Sequence, residues 1–510
     1  MKKIFLLLFL TLAGLQACNL DLAPENVMVD QNVYAHAKTT RAALTGAYVR
    51  MNIFLGGAPE DQNNYSHLSY CWIAGEVGTE NLKVREGATS DCVALEECSY
   101  DNKTRDGAIL STWIKGYNAI DYANNIIDGV TRFGAFEEEL MAQYVAEARF
   151  IRAFVYLNLL KMFGDGALTG NDDGLGMILR DKPYDGYNPD QIMARSTVGD
   201  TWKFILTDLE AALDALPDRP GTPETRCVAT KPVVWALLSR AWLYKGSYKN
   251  DKDAMTKAAE YARKVLDSGA YSISTAYNDH RKGLFPDNPY DPASSVGYPD
   301  PSARSNEIIL YQPSRISKEK YSNGVSPFFF QKREAYVDPA LLSTLYRRGD
   351  LRGFVEGSAD AMIGIGGTSY YTKDLASLKY SNNEGYDDLL FIRLAEIKLN
   401  LAEALTRESG SVTEAALKEL NDVRCKPFAP ADKPAALQVS DFPDAKALLD
   451  EILTERNREL AFESHRRWDL IRTGGKLRKA SVGPEGMILP IPDYEVTISK
   501  GKIQQNTAFR

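Results

Sequence analysis

The chain of 510 residues is 44% hydrophobic and 25% charged, with a formal net charge of -8. Its length exceeds the roughly 100–200 residues usual for one domain, so several domains or one large repeat-built body is expected. The composition is that of a globular chain, and the acidic balance excludes nucleic acid as a partner, because phosphate recognition needs a basic surface.

The chain opens with MKKIFLLLFLTLAGLQAC, in which Lys2 and Lys3 precede an apolar run from Ile4 to about Leu15 and then small residues ending at Cys18. This is the layout of a secretory signal, and the run falls short of the roughly 20 residues that span a bilayer. LQAC resembles the lipobox of bacterial lipoproteins, in which cleavage precedes the Cys and its sulfur receives lipid. Residues 1–17 therefore read as a removed signal, Cys18 as a lipidated anchor, 18–32 as a linker and 33–510 as one folded body. With each buried acyl carbon worth about 0.8 kcal/mol, several chains on one residue make a lasting anchor. Cys71, Cys92, Cys98, Cys227 and Cys425 remain, an odd number. Cys92 and Cys98 are close enough in sequence for a local disulfide, and buried free thiols throughout are the alternative.

Helical periodicity starts at 111–133, where Trp113, Tyr117, Ile120, Ala123, Asn124 and Ile127 recur at three- and four-residue spacings. A second helix over 136–165 is apolar on nearly every side from Phe150 to Leu160, which predicts burial between neighbouring helices, and Gly164 stops it. A third helix is expected over 198–215 and a helical hairpin over 231–271. In that hairpin Ala236, Ala241, Gly246, Ala258 and Ala262 alternate with Trp235, Trp242, Tyr244 and Tyr261, a mixture that resembles tetratricopeptide repeats. A similar hairpin is expected from helices at 387–405 and 411–425, followed by one at 445–463. The stretches 52–110 and 272–386 are irregular and rich in Gly, Pro, Asn, Asp and Tyr, with short strand-like runs such as EIILYQ. Long loops on a rigid frame are where binding residues gather. The tail from Glu485 reads as short extended segments broken by Pro490 and Pro492.

The segment ILTERNRELAFESHRRWDLIRTGG, 452–475, is crowded with charge where a helix should hide an apolar face. On a helix Glu451, Glu455, Glu459 and Glu463 fall at four-residue steps, and such neighbours repel by a few tenths of a kcal/mol per pair. Arg456, Arg458, Arg466 and Arg467 lie near in sequence, and Arg149 and Arg152 could reach the stripe from the second helix, giving an interhelical ion network. The catalytic alternative, a bundle di-iron site, needs Glu-x-x-His on two helices, and none of His36, His67, His280 and His465 has that spacing.

TERNRELAFESHRRWDLIRTG followed by ILPIP resembles the C-terminal signature of the SusD/RagB family of bacterial outer-membrane lipoproteins. TTRAALTGAYVRM, AGEVGTENLK, AEARFIRAFVYLNLLKMFGD, YRRGDLR and FIRLAEIKLNLAEAL resemble further family segments in the family's order, while QQNTAFR departs from its usual Pro-containing ending. The resemblance implies a mainly α fold, a tetratricopeptide-like scaffold (here 111–271 and 387–473) with an irregular loop-rich ligand-binding subdomain containing short strands (here 52–110 and 272–386). It also implies a non-catalytic capture protein, lipid-anchored on the outer membrane of a Gram-negative bacterium and facing the cell exterior. Such proteins pass oligosaccharides, or peptides in the RagB branch, to a SusC-like TonB-dependent transporter.

No Gly-x-x-x-x-Gly-Lys, Gly-x-Ser-x-Gly, His-Glu-x-x-His or Cys-x-x-Cys is present. A glycosidase needs only two carboxylates and no local signature, so a surface hydrolase is the runner-up. No cofactor is expected. Loops such as NDDG and YPDP carry the oxygen ligands Ca2+ takes, but EF-hand spacing is missing. Sugar faces stack on aromatic rings and their hydroxyls need polar partners. The irregular stretches offer Tyr65, Tyr70, Trp72, Asn81 and Arg85, then Tyr290, Tyr298, Tyr321, Phe328, Phe329, Phe330 and Tyr336, as glycan contacts. Trp72 leads as an exposed platform, with a core role as its alternative.

Overall fold

The computed structural model describes residues 30–56, 70–186, 192–221, 226–273, 284–285, 304–312, 334–353, 363–365, 375–380, 388–479 and 481–510. It is mainly α. The principal helices are α1 (Ala37–Gly56), α2 (Leu110–Phe133), α3 (Glu138–Phe163), α4 (Val198–Ala212), α5 (Lys231–Gly246), α6 (Lys252–Asp267), α7 (Leu394–Ser409), α8 (Glu414–Arg424), α9 (Ala445–Leu460) and α10 (Arg466–Thr473). Their ends are written locally. Thr197, Asp251, Thr413 and Asp444 each accept a hydrogen bond from a backbone N–H of the first turn that follows. Pro232 sits in the first turn of α5, where its missing N–H costs nothing, and Gly410 and Gly474 close α7 and α10 in the left-handed region.

Consecutive helices pack side by side from α1 to α8, with α6 reaching α7 directly across the long insertion between them, and α9 closing against α7. Small residues permit the close approaches: a Cβ at Gly246 would lie 2.4 Å from the Ala254 Cβ, so α5 and α6 cross there only without a side chain. As its apolar run predicts, α3 is buried on every side from Phe150 to Phe163.

The described residues include six short strands, β1 (Leu82–Val84), β2 (Ile308–Gln312), β3 (Ala335–Val337), β4 (Ile363–Ile365) and β5 (Leu375–Ser377) in the irregular stretches and β6 (Leu389–Arg393) just after them. EIILYQ is β2, as expected, and it pairs antiparallel with β6. This corrects the helix expected over 387–405: its first residues are extended because β2 offers a row of backbone partners, and helix begins only at Leu394. The other four strands form one sheet in the order β1-β3-β5-β4, so the two irregular stretches, far apart in sequence, fold into a common unit. The tail also differs from expectation. Leu489 does reach Met162 O through its N–H at 2.7 Å, but the residues Asp493–Ile498 after Pro492 are a helical turn, for which proline's fixed φ is well suited at the start.

The charged segment is scaffold, as expected, but its partners come from elsewhere in the chain. α9 ends at Leu460, and Phe462 and Ser464 turn the chain at φ of 70° and 66° before α10 begins. Glu455 and Glu459 receive Arg352 Nη1 at 2.6 and 2.9 Å. Arg393 reaches Glu307 at 2.9 Å, Glu459 at 2.5 Å and Glu463 at 2.8 Å. Lys379, Lys426 and Arg458 complete the cations, and Asp350 joins the acids through Arg352. Among the described residues, five cations thus face five buried carboxylates. Arg149 and Arg152 do not take part. They pair with Asp208 of α4, Arg152 at 2.7 Å, because α3 lies against α4 and α2 rather than α9.

No disulfide joins any two of the five described cysteines, so Cys92 and Cys98 are not bridged to each other. No helix of the described residues is long and apolar enough to cross a membrane.

Candidate ligand-binding face

The segment between α1 and β1 is clamped onto the turn between α9 and α10. Arg467 N donates to Gly75 O at 2.8 Å, and Ser464 Oγ to Cys71 O at 3.3 Å. A Cβ at Gly75 would stand 2.7 Å from the Ser464 backbone, so only glycine allows this contact. Arg467, fully buried, donates to the carbonyls of Val77, Leu95 and Met487.

This clamp removes three predicted ligand contacts from the surface. Trp72 is 5% exposed, its ring edge-on to Tyr380 with centroids 5.9 Å apart, and its Nε1–H donates to Phe462 O at 3.3 Å. It is a core residue and not a platform. Tyr70 is buried, with its hydroxyl near Asp91 O. Asn81 is fully buried and exchanges amide hydrogen bonds with Asn457 of α9 at 2.9 and 3.1 Å. Its role is to position β1.

Asn81 Nδ2 also donates to Glu76 at 3.1 Å, as does the His465 backbone N–H. Burial pushes the Glu76 carboxyl up to about 7 despite these donors. The folded state therefore holds this proton more tightly than the unfolded chain, and stability falls as pH rises from about 4.5 to about 7, by roughly 3 kcal/mol in total. Unfolding titrations across that window are expected to show this slope flattened in Glu76→Gln, and an unchanged slope would contradict the assignment.

Downstream of the clamp, β1 and β3 bring distant residues together. Their register sets Lys83 opposite Tyr336, and Arg85 N donates to Glu334 O at 3.0 Å, extending the pairing by one residue. Because side chains alternate across a strand, Lys83 and Arg85 share one face with Glu334, Tyr336 and Asp338, while Leu82 and Val337 point into the core. Lys83, Arg85 and Tyr336 are half-buried. Two of the predicted contacts, Arg85 and Tyr336, therefore stand on one face. Lys83 was missed, although the alternation in LKVR carries the signal for it.

The acids on this face are occupied. Asp338 pairs with Lys83 at 3.0 Å and caps the helix Pro339–Thr344 through Ala340 N, and Glu334 Oε2 accepts from Thr89 N at 2.7 Å. The arrangement offers an aromatic ring flanked by an ammonium and a guanidinium, which suits stacking and hydroxyl recognition. Among the described residues no three His, Cys, Asp or Glu side chains gather as a metal site. Cys18, Tyr65, Tyr290, Tyr298, Tyr321, Phe328, Phe329, Phe330 and the YPDP loop lie outside the described residues.

Comparison with known proteins agrees with the fold. A model of the SusD family matches residues 366–509, and one described as starch-binding associating with outer membrane matches 59–243; neither is a catalytic family. SusD-like protein P38 of Formosa agariphila is 23% identical, with 99% of each chain covered. A SusD superfamily protein of Bacteroides thetaiotaomicron superposes with a TM-score of 0.70 at 19% identity, covering 92% of this chain and 99% of that one. A SusD-like carbohydrate binding protein of Bacteroides vulgatus does so at 0.69 and 18%, covering 92% and 97%. In sequence along nearly its whole length and in fold, the chain is thus similar to SusD-like proteins.

Proposed function

We propose that the protein captures glycans at the cell surface, without cleaving them, on the face formed by β1 and β3. The observation that carries this reading is the register that places Tyr336 opposite Lys83, with Arg85 beside them, on a half-exposed surface. Tyr336 serves as the stacking platform, and Lys83 and Arg85 bind sugar hydroxyls. The similar protein described as carbohydrate binding and the starch-binding family description support the ligand class. The lipobox-like LQAC supports a lipid tether at Cys18, and the description "associating with outer membrane" supports its location. Delivery to a SusC-like TonB-dependent transporter follows from the family resemblance.

The test uses the chain from Asn19 onward, titrated by affinity electrophoresis and calorimetry against polysaccharide and peptide panels, with products followed by chromatography. Saturable glycan binding with no shortening of the polymer is expected. Binding of peptides alone would move the reading to peptide capture, and turnover would overturn it.

A further inference from the structure

A second cluster of buried charge is present beside the α9 network, and its composition differs. Its carboxylates are Glu396 and Glu403 of α7 and Asp469 of α10. Arg240 takes both oxygens of Glu396 at 2.6 Å. Arg472 takes both of Glu403 at 2.6 and 2.8 Å, with Arg407 also on Glu403. Asp469 is shared by Arg456 at 2.9 Å and Arg472 at 2.8 Å. Every carboxylate oxygen is thus already taken, yet one more cation is present. Lys161 of α3, 9% exposed, stands over the Trp468 ring at 5.3 Å and makes no ion pair among the described residues.

Among the described residues five cations therefore face three carboxylates, where the α9 network matches five with five. His465 does not alter the balance, since burial and the charges of Arg240, Arg456 and Lys161 hold its imidazole well below the usual pKa. Burial pushes Lys161 down to about 8, which leaves it charged at neutral pH. Glu76, beyond His465, leaves the cations in excess even if counted as ionised.

The unsatisfied polar atoms of this region are mainly donors. Arg456 Nη2, Asn400 Nδ2 and Trp468 Nε1 are buried and make no hydrogen bond, and the Ser239 hydroxyl is likewise unpartnered. Shared partners tie them to one neighbourhood. Arg456 Nη1 donates to Asn400 Oδ1 at 2.7 Å, Arg456 Nη2 lies 3.7 Å from Glu396 Oε1, and the Cys71 thiol, Glu396 and Asp469 all act electrostatically on Lys161. A buried donor without an acceptor costs about 1–3 kcal/mol, and water would bring two further protons that themselves need acceptors.

We propose that this core, between α3, α5, α7, α9 and α10, binds a small monovalent anion of the chloride type, held by Lys161 Nζ with Arg456 Nη2, Asn400 Nδ2 and Trp468 Nε1. One negative ion answers both the missing acceptor and the excess of cations. The site is structural and lies apart from the ligand face on β1 and β3.

Crystals prepared in sodium bromide and measured at the bromine absorption edge are expected to show an anomalous peak within hydrogen-bonding distance of Lys161 Nζ and at least two of the other donors. In solution at fixed ionic strength, replacing gluconate by chloride should raise the ratio of folded to unfolded chain, by up to tenfold per tenfold increase in free chloride above the dissociation constant. Lys161→Met should abolish that chloride dependence. No bromine peak at this position in the wild-type protein, or an ordered water in its place, overturns the proposal, and this arm stands even if Lys161→Met does not fold.

Discussion

Arg393→Met is expected to destabilise the protein by about 3–5 kcal/mol, the cost of leaving a buried network of carboxylates one cation short. Burial alone would lower the pKa of Arg393, but Glu463 and Glu459 outweigh it and hold the guanidinium far above its usual value, so the charge is permanent. Its three carboxylates come from β2's approach and from α9 and the turn beyond it, so one side chain joins the insertion to the C-terminal scaffold. Met fills similar volume and tests charge rather than packing. Arg393→Lys should fall between, because a single ammonium cannot reproduce the guanidinium fork. Urea unfolding followed by circular dichroism measures both, and a Met variant within about 1 kcal/mol of the parent would show that the network contributes little.

Trp72→Ala should cost a similar amount, about 3–5 kcal/mol, through the cavity left against Tyr380 and Phe391. Loss of the Nε1–H bond to Phe462 O would also loosen the turn that clamps the 70–79 segment. At a temperature where the variant remains folded, its affinity for glycan should equal that of the parent. A stable variant that no longer binds would restore Trp72 to the ligand face.

The helical ladder was legible because its signals are local. The three- and four-residue spacings of α2, the all-round apolar run of α3 and the small residues of the α5–α6 hairpin each fix an element without reference to the rest of the chain. Residues 389–393 misled because LLFIR suits helix or strand equally, and only β2, nearly eighty residues earlier, decides between them. Trp72 misled for a related reason. It lies outside any periodic helix, which makes it look available, but what buries it is a turn almost four hundred residues away. The stripe at 451–463 could be read as needing neutralisation, whereas the identity of its partners depends on which segments the fold brings near, and Arg352, Lys379 and Arg393 have no sequence mark that sets them above Arg149 and Arg152. For the ligand face, residue type alone points to Arg85 and Tyr336, and their shared strand face is a product of register.

The most direct test of glycan capture at that face is calorimetric titration of the parent chain and of Tyr336→Ala with whichever polysaccharide the panel identifies. Tyr336 is a half-exposed strand residue, so its truncation should leave the unfolding transition nearly unchanged while removing about 2 kcal/mol of binding, roughly a thirtyfold weaker dissociation constant. Equal affinity in the two proteins would contradict the assignment of the ligand site to β1 and β3.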